Sequence, residues 1–401
     1  MKILLLSFYY PPDLSAGSFR ASALVSALLE KLPQTGHIEL ITTMPNRYNS
    51  YRQVANDNIE EHEQHPRLTI HRVAVPQHQS GMKDQSKAFL NYARSVLRIT
   101  RNQSVDLVFA TSSRLMTAAL GALLSRRLKA PLYLDIRDIF VETLRDVLSP
   151  KISWLAKPIF GPVESWTIHY ATRVNLIMPA FLGYFESKYP RRTFSVFTNG
   201  IDPEFLDWTP ESKFRIINDP LTIVYAGNMG EGQGLHKIVP ALAKRLEGQA
   251  RFVLVGDGGK RLQLENALAE RNCKNVQIRN PVSRTELIEI YQQADVFFLH
   301  LNDYNVFLNA LPSKLFEYGA LGKPILAGVS GYAARFIQEN LDNAQTFTPC
   351  CPEEGIKAFF ALRRETFPRE KFVETFDRRN IMRNMADDVL ITAKEPDSIV
   401  R

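Results

Sequence analysis

The stretch NALPSKLFEYGALGKPILA, residues 309–327, reads as a helix running into a strand, with a charged first turn. Pro312 suits the first helical position, where its missing N–H would have had no partner anyway. A helix begun there leaves the amides of Ser313, Lys314 and Leu315 pointing out of its start, toward any anion that approaches. Lys314 is unusual, because a cation in a first turn opposes the helix dipole unless something negative sits beside it. Glu317 follows one turn on, placed to accept hydrogen bonds from vicinal hydroxyls. Gly322 and Pro324 end the helix, and Ile325-Leu-Ala re-enters a sheet. A phosphate and a diol bound together describe a nucleotide. The alternative is an ordinary amphipathic helix with Lys314 and Glu317 solvated.

The same alternation of helix and apolar strand extends through the chain and predicts parallel sheets covered on both faces, an α/β fold. Strands are expected at 2–9, 37–43, 68–75, 105–111, 132–138, 173–179, 194–198, 221–226, 251–255, 276–279, 295–301 and 323–327. Helices are expected near 18–32, 84–101, 115–129, 152–170, 180–189, 235–246, 261–271, 284–293, 312–320, 354–364 and 378–393. The polar stretch 202–220 reads as a linker, and the Tyr/Asn-rich 46–65 as a loop. At 401 residues the chain is long enough for two domains. Met1–Leu6 leads straight into Tyr9-Tyr-Pro-Pro and reads as a first strand rather than a leader peptide. No run approaches the length of a membrane span.

Charge divides unevenly. Residues 1–200 carry 24 Lys and Arg against 15 Asp and Glu; residues 201–401 carry 25 against 27. A basic first half suggests a polyanionic surface facing it. No helix-turn-helix, zinc-finger or RNP pattern points to nucleic acid, whereas an anionic membrane fits. Residues 83–101 set Lys87, Arg94, Arg98 and Arg101 beside Phe89, Leu90, Val96, Leu97 and Ile99. Residues 152–166 interleave Trp154, Lys157, Ile159, Phe160 and Trp166. Basic and aromatic residues together settle a helix on an anionic interface, although a core-packed helix with a solvated basic face explains either segment alone. Three cysteines, two of them adjacent, build no disulfide framework and imply a reducing cytosol.

Three further segments carry chemistry. The first strand leads through Tyr10-Pro-Pro-Asp-Leu-Ser-Ala-Gly17-Ser-Phe-Arg20 into a helix, a turn that brings backbone close to a ligand. Gly227-Asn-Met-Gly230-Glu-Gly232-Gln233-Gly234 places four glycines in eight residues at a strand–helix junction, which costs entropy unless close approach is needed. Gly256-Asp-Gly-Gly259-Lys260 is a second such cluster, and lacks the spacing of a Walker A loop. At the end of the fifth strand, Asp135, Arg137 and Asp138 alternate. Charges there are costly unless paired or functional, and a structural Arg–Asp pair is the rival to a catalytic role. Glu142 is a further candidate carboxylate, and His300 sits at a strand end, in a site or merely in the core.

These segments resemble the retaining glycosyltransferases of family 4, which have the GT-B fold: two Rossmann-like domains facing an interdomain cleft. The family's donor motif is two glutamates eight positions apart. Glu317 matches the second, and Asn309 stands where the first would be. Within the family the likeness is to L-fucosamine transferases of O-antigen gene clusters. The resemblance implies an N-terminal acceptor-side domain of residues 1–203, a nucleotide-sugar-binding domain of residues 204–377, and a C-terminal helix of about 378–401 packing back on the first. It implies that Glu317 holds the donor ribose, and that Gly17, Asn228, Gly230, Gln233, Gly256, Arg279, Ser313, Lys314 and Leu315 surround the donor. Asn228 and Gln233 replace a basic pair found in many members, so the diphosphate charge would fall to Lys314, helix dipoles and Arg20 or Arg137. Arg137 would steady the departing phosphate, with Asp138 or Asp135 orienting the acceptor hydroxyl.

The expected function is retaining transfer of an N-acetylated deoxysugar from a nucleotide sugar, UDP-linked as in UDP-N-acetyl-L-fucosamine, to a polyprenyl-diphosphate-linked saccharide of O-antigen or capsule. The expected setting is the cytoplasmic face of the inner membrane, peripherally attached, with no metal or other cofactor and no nucleic acid. No Asp-x-Asp metal motif is present. Two rivals stand beside this reading. A UDP-sugar 2-epimerase shares the nucleotide site but needs an acid–base set not found here; a non-catalytic nucleotide-sugar-binding module needs none. A nicotinamide dehydrogenase is disfavoured by the missing G-x-G-x-x-G.

Overall fold

The computed structural model describes residues 1–46, 65–76, 82–112, 115–142, 150–206 and 220–395. It divides into two compact units, Met1–Gly200 with Arg378–Arg401, and Ile201–Asp377.

The first unit is built on a seven-stranded parallel sheet in the order β3-β2-β1-β4-β5-β6-β7. Its strands are Lys2–Leu6 (β1), His37–Thr43 (β2), Leu68–Val73 (β3), Leu107–Thr111 (β4), Leu132–Ile136 (β5), Arg173–Leu176 (β6) and Phe194–Val196 (β7). Ile3-Leu-Leu-Leu and the whole of β4 and β5 are buried, as strands covered on both faces must be. The helices are Ala16–Lys31 (α1), Met82–Ile99 (α2), Leu115–Leu128 (α3), Pro150–Tyr170 (α4) and Leu182–Lys188 (α5). Ser15 caps α1, its hydroxyl accepting from the Ser18 N–H at 3.2 Å.

The second unit repeats the plan with six parallel strands in the order β10-β9-β8-β11-β12-β13. These are Leu221–Ala226 (β8), Ala250–Val255 (β9), Val276–Arg279 (β10), Val296–His300 (β11), Ile325–Gly328 (β12) and Ala344–Phe347 (β13). Leu235–Arg245 (α6), Arg261–Glu270 (α7), Arg284–Gln293 (α8), Lys314–Ala320 (α9), Gly331–Asn340 (α10), Pro352–Ala361 (α11) and Glu370–Phe376 (α12) surround them. In both sheets the strand order reverses beside the first strand of the unit, between β1 and β4 and between β8 and β11. Ligands of open parallel sheets bind beyond the strand ends at such a reversal.

The last helix, Arg378–Thr392 (α13), lies on the first sheet. Met382, Met385, Ala386 and Val389 join Ile3, Leu5, Leu24, Leu28, Phe109 and Tyr133 in one apolar cluster. Tyr133 and Ser195 both donate to Asp388, at 2.8 and 2.7 Å. Among the described residues no helix is long and apolar enough to cross a membrane.

The segments tied to a membrane take different places. On α2, Phe89 and Val96 are buried, and with them Ala88 and Tyr92, so that side of the helix is core. Lys87, Arg94, Arg98 and Leu90 are exposed, as is Arg101 just beyond. The side chains of Trp154 and Lys157 lie outside the described residues; Trp166 is half-buried against Tyr170. The expected loop 46–65 and linker 202–220 likewise fall mostly outside them.

Candidate functional site

In the first unit the charged end of β5 separates into two parts. Asp135 is 2 % exposed and fully engaged. Arg20 reaches it with Nε and Nη2, both at 2.9 Å, and Asn175 Nδ2 adds a third bond at 2.7 Å. Burial alone would raise the Asp135 pKa, but the Arg20 guanidinium outweighs it and holds the carboxyl below its usual range. Arg20 is equally buried and also donates to the carbonyls of Thr198 and Phe197. The expectation for Asp135 is therefore corrected: it ties α1 to β5 through Arg20 and Asn175 rather than facing outward. Arg20 spends Nε and Nη2 on Asp135 and Phe197 and one N–H of Nη1 on Thr198.

Arg137 and Asp138, one step on, face outward. Asp138 is exposed and lines a recess with Ser112, Phe140 and Glu164. Arg137 is half-buried and lies across the start of α1, where a methyl group on Gly17 would come within 2.3 Å of its Nη1. Gly17 is thus needed for the guanidinium to lie there. Burial, together with the neighbouring Arg20 and Arg378 charges, lowers the Arg137 pKa to about 10, and Asp135 offsets this only in part. Asp138 acts in the same direction as Asp135. Glu142 is half-buried nearby in sequence.

In the second unit two glycine loops meet at the end of β8. Gly227 N–H donates to Val255, Met229 to Asp257 and Lys260 back to Met229, at 2.8–2.9 Å. Gly256 has φ +146°, and a methyl on it would strike the Gly227 carbonyl at 1.9 Å, so only glycine allows the loops to touch. Asn228 and Gln233 do not both reach outward as expected. Asn228 Nδ2 donates to Gln233 Oε1 at 2.8 Å, and the Gly230 N–H shares that acceptor at 3.3 Å, so the pair shapes the loop from within. Arg279 is also engaged: its guanidinium meets Glu286 at 2.6 Å and its carbonyl accepts the Gly256 N–H at 3.0 Å.

His300 is buried, and the two bonds it makes fix its tautomer. Nε2 accepts the Cys350 N–H at 3.0 Å, so Nδ1 carries the proton that meets the Gln233 carbonyl at 2.7 Å. Burial lowers its pKa to about 4. It is a neutral brace for the glycine loop.

The helix quoted at the outset begins at Lys314, with Ser313 as its cap residue, two positions later than expected. The first turn is tight: Leu315 N–H donates to the Pro312 carbonyl at 3.0 Å and Phe316 N–H to Ser313 at 3.2 Å. The Leu315 amide is therefore not free for a phosphate. Lys314 meets Glu317 Oε2 at 3.0 Å, so Glu317 supplies the negative partner that the sequence demanded. Asn309 lies exposed on a 3₁₀ turn, Asn305–Asn309, ahead of the helix.

Glu317 is 4 % exposed. Besides Lys314 it accepts from Arg284 Nη1 on Oε1 and from the Tyr291 hydroxyl on Oε2, both at 3.1 Å. Burial would raise its pKa; the Lys314 and Arg284 charges and their hydrogen bonds outweigh that and bring it to about 2. Arg284 also pairs with Asp202 and lies over the Phe205 ring at 4.5 Å. Arg284, Asp202 and Tyr291 were not among the candidates. One signal was available: Arg284 is a cation in the first turn of α8, the same anomaly that drew attention to Lys314.

Residues 21–200 match the family model described as glycosyl transferase 4-like domain, and residues 208–359 that described as glycosyl transferases group 1. The two domains are those of a glycosyltransferase. Its fold is GT-B. The structure of Anabaena HepE in complex with UDP and glucose covers 97 % of this chain and 99 % of its own length, with a TM-score of 0.62 at 17 % identity. WaaG, a glycosyltransferase involved in lipopolysaccharide biosynthesis, covers 99 % of both chains with a TM-score of 0.59 at 15 % identity. Among curated proteins, WcaI of Escherichia coli (strain K12), named as a glycosyl transferase of colanic acid biosynthesis, is 25 % identical over 175 residues. That match spans 42 % of the glycosyltransferase described here and 42 % of WcaI.

Proposed function

We propose that this glycosyltransferase moves a sugar, with retention, from a UDP-linked donor to a lipid-linked saccharide in the assembly of a bacterial surface polysaccharide. The observation that carries the donor half is Glu317: a carboxylate buried and kept ionised beside the glycine loops at the sheet reversal. Burying a charge there is costly, and three donors hold it in a state that only accepts hydrogen bonds, which suits a ribose diol. UDP is favoured because HepE, of the same fold, is known in complex with UDP and glucose. An N-acetylated deoxysugar such as N-acetyl-L-fucosamine is the sugar proposed. WcaI and WaaG, named for colanic acid and lipopolysaccharide biosynthesis, support the polysaccharide setting and a polyprenyl-diphosphate-linked acceptor.

The chemistry proposed is electrostatic. The departing diphosphate gains negative charge as the glycosidic bond breaks, and preorganised cations stabilise it. Lys314 and Arg137 are the cations proposed for this role. With no carboxylate nucleophile assigned, the acceptor hydroxyl attacks from the face the diphosphate leaves, and the diphosphate takes its proton. Asp138 orients that hydroxyl. The exposed Lys87, Arg94, Arg98 and Arg101, with Leu90 among them, bring the enzyme peripherally to the anionic cytoplasmic leaflet where such an acceptor resides.

A thermal-shift panel of nucleotide sugars tests the donor. A ligand at 100 times its Kd adds about 2.7 kcal/mol, a readily measured rise in Tm. UDP and a UDP-linked N-acetylated deoxysugar should raise Tm; a flat response to every UDP compound sinks the reading. Because cationic side chains carry the charge, transfer should survive EDTA. Activity lost on chelation and restored by Mg²⁺ or Mn²⁺ would show that a metal supplies what is assigned here to Lys314 and Arg137.

A further inference from the structure

Glu317 is held by two cations of unequal standing. Arg284 is a rigid fork with several anchors: Glu317 at 3.1 Å, Asp202, Glu204 at 3.8 Å and the face of Phe205. Lys314 is a single ammonium on a flexible stem, 23 % exposed, whose partner among the described residues is Glu317 Oε2. Its Cε lies beside Gly227, 3.8 Å from where a methyl on that glycine would sit, so the ammonium stands at the glycine loop already.

The acceptor positions of the carboxylate can be counted. An ionised carboxylate offers about four, two on each oxygen. Among the described residues Oε1 accepts from Arg284 alone, while Oε2 accepts from both Tyr291 and Lys314. One position, on Oε1, is left open. A ribose diol presents two hydroxyls.

We propose that Lys314 is an exchangeable cap on Glu317: the donor diphosphate draws its ammonium off Oε2, and the vacated position accepts the second ribose hydroxyl. Arg284 stays and is the positioning residue. It keeps the carboxylate aimed, and ionised, while Lys314 changes partner. The ribose and the diphosphate are then recognised as one unit, because each gains fully only when the other is present. A nucleoside without phosphates leaves the cap in place and makes one bond to Glu317 instead of two. The inference rests on the reading that Glu317 meets the donor ribose, and it adds a discrimination that this reading alone does not contain.

Calorimetry with matched pairs tests it: UDP with uridine, GDP with guanosine and ADP with adenosine, on the unmodified enzyme, Lys314→Met and Glu317→Ala. For the pair the enzyme binds, Lys314→Met should weaken the diphosphate about tenfold or more, the scale of one charged hydrogen bond. The same variant should leave the nucleoside unchanged or tighter, since Oε2 is open from the start. Diphosphate affinity unchanged in Lys314→Met overturns the exchange. So does an equal loss for diphosphate and nucleoside, which would make Lys314 a fixed prop for Glu317. The underlying reading fails separately: Glu317→Ala that binds both members of the pair as before, or an enzyme that binds none of the pairs, removes Glu317 from the ribose.

Discussion

The two domains each bury a carboxylate beside an arginine, and the two pairs differ in what can leave. Asp135 has every near donor locked: Arg20 is as buried as its partner and is tied further to two carbonyls. Glu317 has one locked partner, Arg284, and one on a flexible stem at the edge of a glycine loop. Burial and a lowered pKa are common to both, so neither distinguishes a structural pair from a binding group. The difference lies in whether a donor can be given up without leaving the charge alone. The halves of the chain also differ in charge, with an excess of nine cations in residues 1–200 and of two anions in residues 201–401.

The largest test removes Asp135. Truncating one member of a buried ion pair leaves the other uncompensated and typically costs about 3–5 kcal/mol. Asp135→Ala should therefore unfold at much lower urea than the unmodified enzyme, and a loss under about 1 kcal/mol would end the contrast drawn here. Glu317→Ala should show its main effect in binding, a 10- to 100-fold loss of UDP affinity by calorimetry, from about 1.5–3 kcal/mol of charged hydrogen bonding. Acid sharpens the same point. The Glu317 carboxyl is depressed in the folded chain, so the stability it contributes is fully present above about 4.5. That stability is lost as pH falls from there through about 2. The Tm difference between Glu317→Gln and the unmodified enzyme should close over that window; a difference that stays constant would mean the pair does not titrate there. The smallest effects belong to the basic surface. Each of Arg94, Arg98 and Arg101 changed to Ala should weaken co-sedimentation with anionic vesicles by about 1 kcal/mol, with UDP affinity unchanged. Vesicles ignored by the unmodified enzyme even at low salt would assign that surface to another partner.

Much of the fold was legible because parallel strands write themselves as apolar runs. His37–Thr43, Leu221–Ala226 and Val276–Arg279 have the expected bounds, and most others lose two or three residues at their ends. The strand Ala344–Phe347 was missed. Its Ala-Gln-Thr-Phe is short and half polar, at the sheet edge where one neighbour suffices. The helix Gly331–Asn340 was missed with it, since Gly331 and Ser330 mark a turn as readily as a start. At the site, glycine and charge anomalies were readable, but pairing was not. Nothing in the spacing of Arg20 and Asp135, 115 positions apart, shows that they spend their charges on each other. Asn228 and Gln233 are five apart, yet their mutual bond depends on a loop geometry that composition does not encode.

Chain order gives α13 a role beyond packing. The stretch Ile201–Asp377 is an insertion whose ends meet: Ile201 N–H donates to the Phe376 carbonyl at 2.7 Å, and Ile201 bridges Asp377. The core around β1, laid down first in sequence, contains Met382, Met385, Ala386 and Val389, which are made last. During synthesis the inserted domain has all of its residues before its host does. The first domain waits for α13 to leave the ribosome, so a chain stopped at Asp377 fails in the domain that precedes the insertion rather than in the insertion.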